Sequence, residues 1–140
     1  MNPDVNERAL QLVKMRFISG GMDGRVKIWQ ENEEGSREFE LKSTLETDGE
    51  SDNWVRDVAW CNNIGQTNEM VAAVDENKTL RIWRSQGHQN NQSWVQTFSR
   101  VYSHPLWKCS WSPVGFMLAV SGGNNETVVL KHDQKANDWV

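Results

Sequence analysis

FISGGMDGRVKIW at residues 17–29, VAAVDENKTLRIW at 71–83 and LAVSGGNNETVVL at 118–130 align without a gap, and that repetition decides the fold. Each segment opens on small and apolar residues, crosses a polar turn and resumes in a β-branched or aliphatic run, which is the pattern of a hairpin. The turns are Met22-Asp23-Gly24, Glu76-Asn77-Lys78 and Asn124-Asn125-Glu126. Asp23-Gly24 suits a tight turn because both residues tolerate positive φ, and Asn124-Asn125 does the same less comfortably.

Working outward, VRDVAW at 55–60 and LWKCSW at 106–111 precede the last two hairpins. The alternation of Val58 with Trp60, and of Cys109 with Trp111, fits strands with one buried face. A fourth strand per unit is expected at 94–99 and at 138–140, and the strand following Trp29 at 39–45. Four short strands at this period match one blade of a β-propeller. The fold class is therefore all-β: a WD-repeat β-propeller of about three four-stranded blades, near 16–53, 54–99 and 100–140. Polar stretches at 30–38, 46–53, 62–69 and 85–93 are expected as surface loops, since they lack the apolar surface to order themselves. Residues 1–15 do not look like a blade strand; Ala9, Leu10, Leu12 and Val13 give them short helical character, as a segment standing in place of upstream blades.

Composition narrows the function classes. The 140 residues hold eight tryptophans (Trp29, Trp54, Trp60, Trp83, Trp94, Trp107, Trp111 and Trp139) against one tyrosine and four phenylalanines, so a tryptophan job recurs in each unit. A net charge of −4 argues against a phosphate-binding surface, and nucleic acid is not an expected partner. No run approaches the ~20 apolar residues of a membrane-spanning helix, and the first eight residues lack the basic-then-apolar pattern of a signal peptide. A cytosolic or nuclear chain is the expectation.

No constellation for catalysis, metal or cofactor is found. Cys61 and Cys109 have no Cys or His at ligand spacing and read as reduced, buried thiols. His88, His104 and His132 read as loop histidines. The Ser-Gly-Gly tracts at 19–21 and 121–123 lack the Lys-Ser/Thr ending and following helix of a phosphate loop; there, small residues let strands approach one another. Adjacent carboxylates, Asp75 with Glu76 and Glu33 with Glu34, are expected to be solvated in turns. Trp54 and Trp94 lie at loop–strand junctions and are candidate partner contacts.

The stretches WVRDVAW at 54–60, LAVSGG at 118–123, RFISGGMDGRVKIW at 16–29 and the insertion CNNIGQTNEM at 61–70 closely resemble the last three blades of one WD-repeat family. It is the family of small propeller subunits shared by the COPII outer coat and the nuclear-pore Y complex. The resemblance covers residues 16–140. It implies an open six-bladed ring completed by a blade from a helical COPII coat subunit or a helical nucleoporin, and a scaffold role in ER-to-Golgi vesicle budding and pore assembly. It further implies a cytoplasmic protein, peripheral at the endoplasmic reticulum and COPII vesicles through the coat and present at the nuclear pore, with no enzyme activity and no small-molecule substrate. Rival readings are a diverged WD-repeat adaptor that binds peptides and a truncated duplicate without independent function.

This sequence departs from the family pattern in places. The Asp and Trp of the repeat stand together only as Asp23 and Trp29; Asn77 takes the second Asp position, and Asn124 and Leu130 replace both in the third. Ser51 stands where many repeats place a His, so the usual hydrogen-bonded tetrad is expected to be largely absent, with Trp60, Trp83 and Trp111 left to pack the blades. Three blades would expose two raw faces, an interface or an aggregation liability. The resemblance places partner binding on the open side of the last blade, at 106–140, with Trp107, Val128, Val129 and Leu130 as contacts by strand addition.

Overall fold

The computed structural model describes residues 15–32, 36–45, 47, 53–61, 68–87, 92–113, 115–133 and 135–140. Among them the chain forms eleven strands and no helix: β1 (Arg16–Gly20), β2 (Val26–Glu31), β3 (Phe39–Leu45), β4 (Val55–Trp60), β5 (Met70–Asp75), β6 (Thr79–Gln86), β7 (Ser93–Val101), β8 (Leu106–Trp111), β9 (Met117–Gly122), β10 (Thr127–Asp133) and β11 (Asp138–Trp139). They assemble into three antiparallel meanders, β1-β2-β3, β4-β5-β6-β7 and β8-β9-β10-β11, called sheets 1, 2 and 3 below. Sheets 2 and 3 have the four expected strands. Sheet 1 has three among the described residues, the hairpin and the expected strand at 39–45. The segment 1–14, expected to lie outside the blades, is outside the described residues; Met15 continues the hairpin, its carbonyl accepting from the Glu31 N–H at 3.0 Å.

The three aligned hairpins share one backbone device. Gly24, Lys78 and Asn125 occupy the same aligned position, and each is left-handed, with φ of 77°, 66° and 61°. Only the second residue of Asp23-Gly24 and of Asn124-Asn125 carries the positive φ, which glycine tolerates at no steric cost and asparagine at little. The irregularities repeat as well. Bulges fall between Ile28 and Trp29 and between Ile82 and Trp83 on the β2–β3 and β6–β7 pairs. Two more fall between Val55 and Asp57 and between Leu106 and Lys108. A bulge adds local right-handed twist, and bulges at matching places give sheets 2 and 3 the same warp.

The sheets stack face to face, with sheet 2 in the middle. Side-chain alternation divides each strand of sheet 2 between two cores. Met70, Ala72, Val74, Leu80 and Ile82 pack with Leu106, Cys109, Leu118, Val120 and Leu130 of sheet 3. Val71, Ala73 and Trp83 pack with Val26, Ile28 and Leu45 of sheet 1. Consequently β5 is buried along its whole length, as a strand covered on both faces must be. β4 lies against both β1 and β8, so these strands gather on one side of the stack, where a propeller has its axis.

Two boundary expectations are corrected. Gln30 and Glu31 belong to β2 and Ser85 and Gln86 to β6, so the polar stretches at 30–38 and 85–93 begin as paired strand. Gln30, Glu31 and Ser85 are buried. Polarity misled here because the strands run on to pair with β3 and β7, as in Gln30↔Glu40 and Gln86↔Ser93.

Candidate protein-interaction surface

Two junctions join the sheets, each made of one apolar layer and a few directed polar contacts. At the junction of sheets 2 and 3, Asp57 Oδ2 accepts from the Cys109 N–H at 3.0 Å and the Trp111 indole donates to the Ala59 carbonyl at 3.1 Å. At the junction of sheets 1 and 2, the Val55 N–H donates to the Gly21 carbonyl at 3.1 Å. Arg16 lies 5.0 Å over the Trp60 ring and donates to both oxygens of Glu69. Gln92 completes the group, accepting from Arg16 at 2.9 Å and donating to Glu69 at 2.9 Å.

Inside sheet 2 lies a polar group that the sequence reading placed in solvent. Asp75 accepts from Asn53 Nδ2 at 2.8 Å and from the Thr79 N–H at 3.0 Å, and it is ion-paired with Arg81. Asn53 Oδ1 accepts in turn from the Asn77 N–H at 3.2 Å. The side chains of Arg81 and Asp75 are only 5% and 3% exposed. Asp75 is therefore no solvated turn carboxylate. The aligned signature position, Asn77, is exposed, and the acid that holds this turn sits two residues earlier. In sheet 1, Asp23 is exposed and caps only its own turn, accepting from the Arg25 N–H at 3.1 Å. One element of the tetrad is present in sheet 1, where the Trp29 indole donates to Ser19 Oγ at 2.9 Å; Ser51 lies outside the described residues.

Cys61 and Cys109 are both buried. Burial pushes the Cys61 thiol up to about 11. Burial, reinforced by the Asp57 charge and slightly offset by Lys108, pushes Cys109 up to about 12. His132 belongs to β10 and lies 5.1 Å from the Trp139 ring, so it is a strand residue and not a loop histidine. His104 is half-buried beside Tyr102 at 6.0 Å, and His88 lies outside the described residues, as do Glu33 and Glu34.

The residues read as partner contacts separate into surface and core. Trp54 is exposed beneath Arg56, whose guanidinium sits 5.5 Å above the ring and pairs with Glu76. Trp107 is 47% exposed and Val129 57% exposed. Trp94 is half-buried, its ring edge-on to Trp60 at 5.5 Å. Val128 is half-buried against the core between sheets 2 and 3. Leu130 is 1% exposed and part of that core, so it cannot meet a partner on the open face; this corrects its place among the contacts. The reason is the two-residue alternation of β10, which sends Val129 to the open face and Leu130 inward. Met117, exposed on β9 and on the same face as Val129, was missed by the sequence reading.

A second open face lies at the other end of the stack. Phe17, Phe39 and Leu41 of sheet 1 are exposed, with Phe17 stacked on Trp29 at 6.0 Å and edge-on to Phe39 at 5.0 Å. The signal for it was available, because Phe17 and Trp29 align with the buried Val71 and Trp83.

Residues 11–30 match the WD domain, G-beta repeat model. The chain is similar to the protein transport protein sec13 of Aspergillus fumigatus, with 42% identity over 86% of this chain and 37% of that protein. It is 38% identical to protein transport protein SEC13 of Saccharomyces cerevisiae over 84% of this chain and 38% of that protein. It is 34% identical to the SEC13 homolog of Homo sapiens over 89% of this chain and 37% of that protein. The chain thus spans a little over a third of the length of these relatives.

Proposed function

For this WD-repeat chain of the Sec13 type, we propose a non-catalytic scaffold role in a protein-transport coat, in vesicle budding from the endoplasmic reticulum to the Golgi, with nuclear-pore assembly as a second setting. The observation that carries the reading is identity spread across most of the chain to proteins named for protein transport. The physical character of the molecule agrees with it. Buried and half-buried polar side chains pair with one another inside and between the sheets, as Asp75 does with Arg81 and Arg16 with Glu69, which supports a structural role for them. Its outward faces carry large apolar side chains on rigid strands, the material of a protein interface.

The partner in this proposal is a helical coat subunit or a helical nucleoporin that contributes a blade. It docks on the open face of sheet 3, around Val129, with Trp107 at the rim. Main-chain pairing and the apolar layer would supply affinity, and the exposed tryptophan specificity. Localisation follows from assembly: cytoplasmic, peripheral at endoplasmic-reticulum membranes and vesicles through the coat. The test is affinity purification of the tagged chain from its own cells with partners identified by mass spectrometry. Recovery of a helical coat subunit or nucleoporin, lost with Val129→Glu, supports the proposal; recovery of chaperones alone overturns it.

A further inference from the structure

The bulges on the innermost strands β4 and β8 each set one residue outside the cores. On β4 the register passes from Val55↔Asp75 to Asp57↔Val74, and on β8 from Leu106↔Gly122 to Lys108↔Ser121, so Arg56 and Trp107 are the extra residues. The neighbouring positions are committed to the junctions. Val55 and Val58 pack towards sheet 1, whereas Asp57 and Ala59 meet sheet 3. Leu106 and Cys109 lie in the core between sheets 2 and 3. Arg56 packs on neither neighbouring sheet: its guanidinium lies over the Trp54 ring, and its side chain is 39% exposed. Sheet 2 is covered on both faces, so this exposure comes from the bulge itself. A bulge re-aims a side chain, and bulges recur beside functional sites for that reason.

Both bulges stand on the side of the stack that carries the hairpin turns. The Glu76 N–H bonds the Trp54 carbonyl and the Gly123 N–H the Pro105 carbonyl, each at 2.9 Å. The Trp107 indole lies against the β9–β10 turn, where a Cβ at Gly123 would stand 3.5 Å from its Cζ2. The bonds from Cys109 to Asp57 and from Trp111 to Ala59 set β8 level with β4, which brings Trp107 to the height of Val55, beside Trp54 and Arg56. The chemistry of this group is one-sided. Arg56 donates through Nε to Glu76 Oε2 at 2.7 Å, and its two terminal amino groups bond no described residue. The exposed indoles of Trp54 and Trp107 likewise donate to no described residue, and Lys78 is exposed in the β5–β6 turn. The turn carboxylates are engaged: Glu76 by Arg56, Asp23 by the Arg25 N–H and Glu126 by Asn124. From these uncommitted donors and ring faces we infer that the turn side of this junction binds an extended acidic peptide segment of another protein. The Arg56 amino groups take a carboxylate in the planar fork geometry that guanidinium favours, and the two indoles hold the apolar side chain next to it.

This surface is separate from the coat contact proposed around Val129; only Trp107 is common to the two, so Arg56 and Trp54 carry the test. The full chain is titrated into a fluorescein-labelled peptide of alternating glutamate and leucine and read by fluorescence anisotropy, beside a glutamine–leucine peptide of the same length. Saturable binding is expected for the glutamate peptide, weakening as salt is raised, with affinity for the glutamine peptide lower by about tenfold or more. Arg56→Gln and Trp54→Ala should each weaken binding by about tenfold with an unchanged far-ultraviolet dichroism spectrum. Arg56→Lys, which keeps the charge without the fork, should fall between Arg56→Gln and the native chain. Phe17→Glu, away from this junction, should leave binding as it is. Absence of saturable binding, equal affinity for the two peptides, or binding insensitive to Arg56→Gln or Trp54→Ala overturns the inference. Binding lost with Phe17→Glu and kept in Arg56→Gln puts the peptide on sheet 1 and overturns it as well.

Discussion

Asp57 and Cys109, on the innermost strands of neighbouring sheets, are joined by a 3.0 Å hydrogen bond from the Cys109 N–H to the Asp57 carboxylate. This is a side chain of one blade satisfying the backbone of the next, so it fixes the distance between β4 and β8 as well as adding stability. A hydrogen bond to a charged group contributes about 1.5–3 kcal/mol. Asp57→Ala should lower unfolding stability by that amount in urea titration, and Asp57→Asn, which keeps an acceptor, by less.

The same junction makes stability fall in alkali. Cys109 is pushed up to about 12 by burial and by Asp57, and Cys61 to about 11 by burial, against an ordinary value of 9.0. A thiol held protonated in the folded chain contributes fully below the pKa of the unfolded chain. Above it, unfolded chains release protons that folded ones keep, and stability is lost as pH climbs from 9 towards the folded values. The slope for one such thiol is about 1.4 kcal/mol per pH unit. Urea midpoints measured from pH 8 to 10.5 should drop faster for the native chain than for Cys109→Ala. Equal slopes would refute a protonated Cys109.

Asp75 and Arg81 predict a strong asymmetry between single and double substitutions. Removing one partner strands a buried charge, which costs about 3–5 kcal/mol. Asp75→Ala or Arg81→Met should therefore unfold the chain at markedly lower denaturant. Asp75→Leu with Arg81→Met should recover much of the loss, since paired replacement by apolar residues removes both desolvation penalties. A double-mutant cycle reads the coupling directly.

Val129 and Leu130 are adjacent, apolar and energetically unlike. Leu130→Ala opens a cavity between sheets 2 and 3 and should cost about 2–5 kcal/mol. Val129→Ala, on the open face, should stay within about 0.5 kcal/mol in monomer stability. Thermal unfolding of the two variants separates them.

Gly122 and Gly123 behave differently although they sit side by side in the Ser-Gly-Gly tract. A Cβ at Gly122 would stand 2.2 Å from the Pro105 carbonyl oxygen, whereas at Gly123 the nearest atom is 3.5 Å away. Gly122→Ala must displace backbone at the β8 entrance and should cost about 1–3 kcal/mol, an overpacking effect. Gly123→Ala should cost little.

The hairpins, the turns and most strand bounds were legible because they are local. Two-residue alternation and turn chemistry act over a few residues, and the gapless alignment of three segments multiplied the signal; the shared left-handed position of Gly24, Lys78 and Asn125 is its structural counterpart. The alignment also carried the order of the sheets, since sheets built from equivalent strands present equivalent faces. Asp75 was misread for the same reason that made the alignment useful. Its aligned counterparts are Gly21 and Gly122, so nothing in the repeat marks it as a polar anchor, and only the positions of Asn53 and Arg81 around it do.

By itself the sequence determined that the chain is a series of repeated strand-and-hairpin units with tryptophans at recurring places. Which apolar residues are inside was decided by tertiary structure alone. Both faces of a blade are apolar, because each blade is sandwiched between neighbours, so hydrophobicity cannot distinguish Leu130 from Val129 or Val71 from Phe17. That distinction exists only in the stacked sheets, where, among the described residues, Leu130 and Val71 lie in the cores between sheets and Val129 and Phe17 are exposed.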